Sequence, residues 1–132
     1  MTLTLSLPVT ALLALATLHG CTRGAPMIDR NESSAGQTAN LNLGQQLRFA
    51  LPENVTTGYR WHLASPCPTI LDLTADQPGP AAFTPGAGNT HTWVFSANSQ
   101  GRCDLRFEYA RPWEKTPPAK LLTFPVSVQP GS

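Results

Sequence analysis

From Leu47 onward, large apolar residues return at every second position in run after run. Leu47, Phe49 and Leu51 alternate with Gln46, Arg48 and Ala50, and Tyr59, Trp61 and Leu63 alternate with Arg60, His62 and Ala64. The same period runs through His91–Ala97 around Trp93 and Phe95, then through Cys103, Leu105, Phe107 and Tyr109, and last through Leu122, Phe124, Val126 and Val128. A period of two sends successive side chains to opposite faces of an extended chain, so each run reads as a strand with one buried face. Ile70–Leu73 is a shorter candidate strand. Pro125 predicts that the last strand lies at a sheet edge, because proline has no N–H to give to a ladder.

The runs are separated by turn residues: Pro66-Cys67-Pro68, Gln77-Pro78-Gly79-Pro80, Pro85-Gly86-Ala87-Gly88-Asn89, Asn98-Ser99-Gln100-Gly101 and Thr116-Pro117-Pro118. Ten glycines and thirteen prolines leave little room for long helices. Short strands with frequent turns argue for an all-β antiparallel sandwich or barrel. At 132 residues the chain suggests one domain. A net charge of +1, with only 13% charged residues, gives no field that would favour nucleic acid or an acidic surface.

The first twenty residues stand apart. Leu3–Leu18 carries no charge, is short for a membrane span, and reads as the apolar core of a signal peptide. It ends in Leu18-His19-Gly20-Cys21, which resembles the bacterial lipobox, where the cysteine receives lipid and becomes the first residue. His19 and the lack of a preceding Lys or Arg depart from that pattern. The expectation is a signal peptide over residues 1–20, a lipidated Cys21, a flexible tether over 21–40 and a folded domain over 41–130. The tether assignment rests on a polar stretch, Thr22–Asn40, that as coil would span about 25 Å. An ordinary secreted protein is the alternative. Thr22 is not the aspartate associated with inner-membrane retention, so the expected location is the cell envelope, at the outer membrane or in the periplasm.

If Cys21 carries lipid, two cysteines remain, Cys67 and Cys103. A compartment outside the cytoplasm permits them to form a disulfide, and two free buried thiols are the alternative. No spacing of Cys or His fits a zinc site. Nor is there a Gly-x-Ser-x-Gly elbow or a phosphate-cradling glycine loop. His62 and His91 both read as surface residues on strands. An enzyme is therefore not expected, and neither a metal nor a cofactor is implied.

Three connections carry residues suited to contact. They are Asn54-Val55-Thr56-Thr57-Gly58-Tyr59, then Gly86-Ala87-Gly88-Asn89, then Tyr109-Ala110-Arg111-Pro112-Trp113. In this order and spacing they resemble the chagasin family, proteinaceous inhibitors of papain-like cysteine peptidases. The resemblance covers about Leu41 to Val128. It implies an immunoglobulin-like antiparallel β-sandwich whose three inhibitory loops cluster at one end. It also implies a monomeric, cofactor-free competitive inhibitor whose partner is a papain-like peptidase of the cathepsin L type (clan CA).

By the same resemblance, Thr56 and Thr57 present amides and hydroxyls to the peptidase cleft, and Gly58 permits a bend that a Cβ would hinder. The second loop lies along one wall, with Asn89 where the family usually has a glycine, in a bend that favours positive φ. Arg111 and Trp113 lie against the other wall, with Pro112 stiffening the loop. Val55 stands where the family commonly has proline. Trp61 and Trp93 are expected in the core. Cys67 and Cys103 would meet at the end of the sandwich away from the loops. An envelope module that binds another surface protein or glycan through the same loops is the rival reading.

Overall fold

The structure is a computed structural model that describes residues 26–79 and 88–131. The expected signal peptide, the lipidation residue Cys21, and Gly86 and Ala87 of the second loop lie outside the described residues.

Among the described residues, eight strands form two four-stranded sheets. The strands are β1 (Ile28–Arg30), β2 (Ala39–Asn42), β3 (Gln46–Glu53), β4 (Arg60–Ser65), β5 (Leu71–Gln77), β6 (Asn89–Ala97), β7 (Gly101–Ala110) and β8 (Lys120–Gln129). One sheet has the order β1-β3-β6-β5 and the other β2-β8-β7-β4. The only helical pieces among the described residues are two three-residue 3-10 turns, Glu32–Ser34 and Val55–Thr57.

The alternation read from the sequence sets which face is buried. In β3, Leu47, Phe49, Leu51 and Glu53 are buried, and in β7 Leu105 and Phe107 are buried. Side chains from the two sheets interdigitate. The Phe49 ring lies 5.8 Å from Phe95 in its own sheet, and 5.0 Å from Phe107 and 4.7 Å from Phe124 of the other. Trp61 and Trp93 are buried as expected. Each aromatic ring buried in such a core contributes about 1.5–3 kcal/mol from area alone.

Three expectations need correction. Residues 26–40, taken as part of a tether, belong to the fold: β1 pairs with β3 and β2 with β8. These strands carry few large apolar residues, because much of what holds them is backbone pairing to a neighbour already in place. Both pairings are parallel, so the sandwich is antiparallel at its centre and parallel at one edge of each sheet. Pro125 does not mark an edge strand, since β8 lies between β2 and β7. The ladder to β2 begins at Val126, so the proline sits just short of the double-sided stretch, where its missing N–H costs no bond to β2.

Cys67 and Cys103 form a disulfide, with Cα atoms 6.2 Å apart. It joins the turn after β4 to the first part of β7. At the opposite end of the same pair of strands, Arg60 faces Ala110. The bond therefore closes the end of the sandwich remote from residues 54–59. Closing a loop of 36 residues contributes about 4 kcal/mol in the chain-entropy description.

Candidate functional site

Strand register brings the first and third connections to one end, together with the described start of β6 that follows the second. β3 leaves through Asn54 into the Val55–Thr57 turn and returns as β4. β6 begins at Asn89, paired with Glu53. β7 ends at Ala110 beside Arg60, and Tyr109 pairs with Lys120 of β8.

The first loop is organised from within by Asn54. Its side-chain oxygen accepts from the Thr56 backbone N–H at 3.3 Å and from the Thr56 hydroxyl at 2.6 Å. Its carbonyl accepts from the Thr57 hydroxyl at 2.7 Å and from the Thr57 N–H at 3.2 Å. This is the capping chemistry of Asn, applied to a single turn. The threonine donors expected to face a partner are thus engaged inside the loop. Their exposed hydroxyl oxygens retain acceptor capacity. Gly58 ends the turn at φ 83° in the left-handed region, where a Cβ is disfavoured.

The first and third loops form one body. Arg111 donates through Nε to the Thr57 carbonyl at 2.9 Å, and its guanidinium lies 4.4 Å from the centre of the Tyr59 ring. Its other arm pairs with Glu114 at 3.0 Å, a hydrogen bond that raises the Arg111 pKa above an already high ordinary value while burial works against it. Tyr59 stacks on Tyr109 at 5.2 Å, and Tyr109 lies 4.9 Å from Trp61 of the core. The Tyr109 hydroxyl accepts from the Asn54 N–H at 3.0 Å. Trp113 lies over Gly58 and is 68% exposed, far more than a core tryptophan would be. Arg111 thus ties the third loop to the first through Nε and braces the third loop itself through Nη1.

The second loop differs from expectation where it is described. Asn89 is no bend at positive φ; it is the buried first residue of β6, and Cys67 is the only non-glycine at positive φ among the described residues. Gly79 comes so close that a Cβ there would meet the Thr90 carbonyl at 2.8 Å. The tight approach fixes where this connection leaves and re-enters the sheet.

Beneath the loops lies a cluster that the alternation did not disclose. Glu53 is buried and accepts from the Trp61 N–H at 3.1 Å. Its other oxygen is 3.6 Å from His91 Nδ1, while His91 Nε2 meets Asp76 at 2.5 Å. The His91 ring stacks on Trp93 at 3.7 Å. His91 is therefore a packed, half-buried residue and not the surface histidine expected; His62 does lie at the surface. Glu53 continues the buried face of β3 one step past Leu51, and a carboxylate at that inward position is the signal that could have pointed to the cluster. The two carboxylates lie on opposite ring nitrogens. Among the described residues, no three His, Cys, Asp or Glu side chains converge as metal ligands.

Residues 40–128 match the model of the chagasin family peptidase inhibitor I42. No curated protein matches the chain in sequence. Among solved structures, it is similar to the cysteine protease inhibitor EhICP2 from Entamoeba histolytica. That alignment has a TM-score of 0.70 and 21% identity, and covers 78% of this chain and 96% of the other. It is similar also to Amebosin, with a TM-score of 0.60 and 26% identity over 80% of this chain and 100% of the other. A third is PbICP-C, solved in complex with falcipain-2, with a TM-score of 0.56 and 21% identity over 79% and 90% of the two chains. These likenesses agree with the immunoglobulin-like sandwich described above.

Proposed function

The chain belongs to the chagasin family of peptidase inhibitors, and we propose that it is a reversible, non-covalent, competitive inhibitor of papain-like cysteine peptidases. The end of the sandwich that carries the three loops enters the active-site cleft and excludes substrate. The observation that carries this reading is the joined pair of loops. An exposed tryptophan is held over a glycine bend, and an arginine ties the two segments. A rigid aromatic in a pre-set position loses little entropy on binding, and Trp is prominent among binding hot spots. PbICP-C was solved bound to falcipain-2, which supports a peptidase as the partner.

No nucleophile is consumed in this mechanism. The Thr57 carbonyl is held by Arg111, and the turn is closed by Asn54. A loop fixed this way keeps its peptide bonds out of the geometry a catalytic thiolate needs for attack. Independently of the inhibitor reading, the lipobox resemblance of Leu18-His19-Gly20-Cys21 supports a place in the cell envelope, at the outer membrane or in the periplasm, anchored by lipid on Cys21.

The test is a titration of papain activity with a soluble form beginning after Cys21. A stoichiometric fall in rate that excess substrate relieves is the expected result. A flat titration against both papain and a cathepsin L-like enzyme overturns the proposal.

A further inference from the structure

The described chain begins at the pole opposite the loops. The Pro26 carbonyl accepts from the Gln45 side chain at 2.8 Å, and Gln45 also receives the Ala97 N–H on its own carbonyl at 3.0 Å. Ile28 then pairs with Leu47 near the start of β3, in parallel register. β3 runs from there to Glu53, and the first loop starts at Asn54. The loop pole therefore lies about 23 Å beyond Ile28, at about 3.3 Å per residue. Arg48 pairs with Asp29, and Lys120 with Glu32 at 2.7 Å, which fasten the segment along both sheets.

Only Thr22, Arg23, Gly24 and Ala25 separate Cys21 from Pro26. Five peptide units span at most about 18 Å. We infer that the domain stands on the membrane by its Gln45–Ala97 pole and holds the inhibitory loops away from the lipid, toward solvent. This rests on the reading of Cys21 as the lipidated residue. The partner it fits is a peptidase whose cleft opens toward the membrane from the aqueous side, about 25–40 Å above the bilayer. A cleft that lies flush with the lipid surface is out of reach.

The test uses the full chain, processed in a bacterial host and reconstituted in vesicles of phosphatidylethanolamine and phosphatidylglycerol with rhodamine-labelled lipid as energy acceptor. A donor dye is attached through an unnatural amino acid at Gln100, in the turn at the Ala97 pole, or at Lys115, beside the third loop. Strong transfer from Gln100 with weak transfer from Lys115 is expected, for a difference of about 25 Å. Vesicle-bound protein should titrate papain within about threefold of the soluble form, since a cleft approaching from solvent meets no obstacle. Equal transfer from both sites, stronger transfer from Lys115, or inhibition lost on vesicles overturns the orientation. Mass spectrometry of the mature N-terminus separates the two readings. An unlipidated Cys21 ends this inference and the anchor together, while papain titration by the soluble form still decides the inhibitor.

Discussion

The indole of Trp113 lies against the α-carbon of Gly58, so near that a Cβ built on Gly58 would come 2.9 Å from Cζ2. The third loop is therefore seated on the first at the one residue that has no side chain to push it off.

Gly58→Ala should disturb the site in two ways. The backbone sits at φ 83°, which costs an L-residue about 1 kcal/mol, and the new methyl displaces Trp113. Inhibition constants against papain should rise at least tenfold, with a small fall in melting temperature. Unchanged inhibition would show that the seating of Trp113 is irrelevant to binding.

Trp113→Ala separates contact from folding. The side chain is 68% exposed, so unfolding in urea should shift little, while affinity should fall by about 2–4 kcal/mol as for a hot-spot aromatic. A variant that inhibits like the parent removes Trp113 from the contact surface.

Arg111→Lys keeps the charge and loses the Nε donor to Thr57 and the planar stack on Tyr59. Affinity should drop about tenfold through loss of preorganisation, with the melting curve unmoved. Because the hydrogen bond to Glu114 raises the Arg111 pKa from a value already far above neutral, the guanidinium is charged throughout the working range of such peptidases. This tie should accordingly show no pH dependence of its own between about pH 5 and 8.

Reducing the disulfide, or replacing Cys67 and Cys103 together with Ala, should cost about 4 kcal/mol in denaturant unfolding. The bond lies at the pole away from the loops, so inhibition measured well below the transition should stay within about twofold. A large loss of affinity in a folded variant would mean that the two ends are coupled.

Glu53→Ala should be among the more damaging single changes. It removes the acceptor for the Trp61 N–H and a carboxylate beside His91, both in the interior. A loss of about 2–3 kcal/mol is expected in urea unfolding. Glu53→Gln, which keeps an oxygen for Trp61, should recover part of it.

What could be read in advance follows from side chains that repeat. Phe49, Phe95, Phe107 and Phe124 announce strands because their neighbours are polar, and the loop residues are recognisable because Gly58, Pro112 and Trp113 stand in a fixed order. β1 was not legible because Ile28 stands alone beside Asp29 and Arg30, and β2 because its alternation of Ala39 and Leu41 with Asn40 and Asn42 is only four residues long and has one large apolar side chain. Asn89 and His91 differ from their sequence expectation for a related reason. Their burial is decided by Glu53 and Asp76, which lie far away in sequence and come near only through the register of β3, β5 and β6.

The short first strand also shields the domain from its own kind. β1 covers Leu47, Arg48 and Phe49 along the outer flank of β3, where bare N–H and C=O groups would otherwise invite another chain to add a strand. An inhibitor works among peptidases, and a cut between Arg30 and Asn31 would release this cover while sparing every residue of the three loops. Such a clipped molecule would still recognise its enzyme, yet it would carry a sticky seam along one side. Its lifetime would then be set by self-association more than by any failure to inhibit.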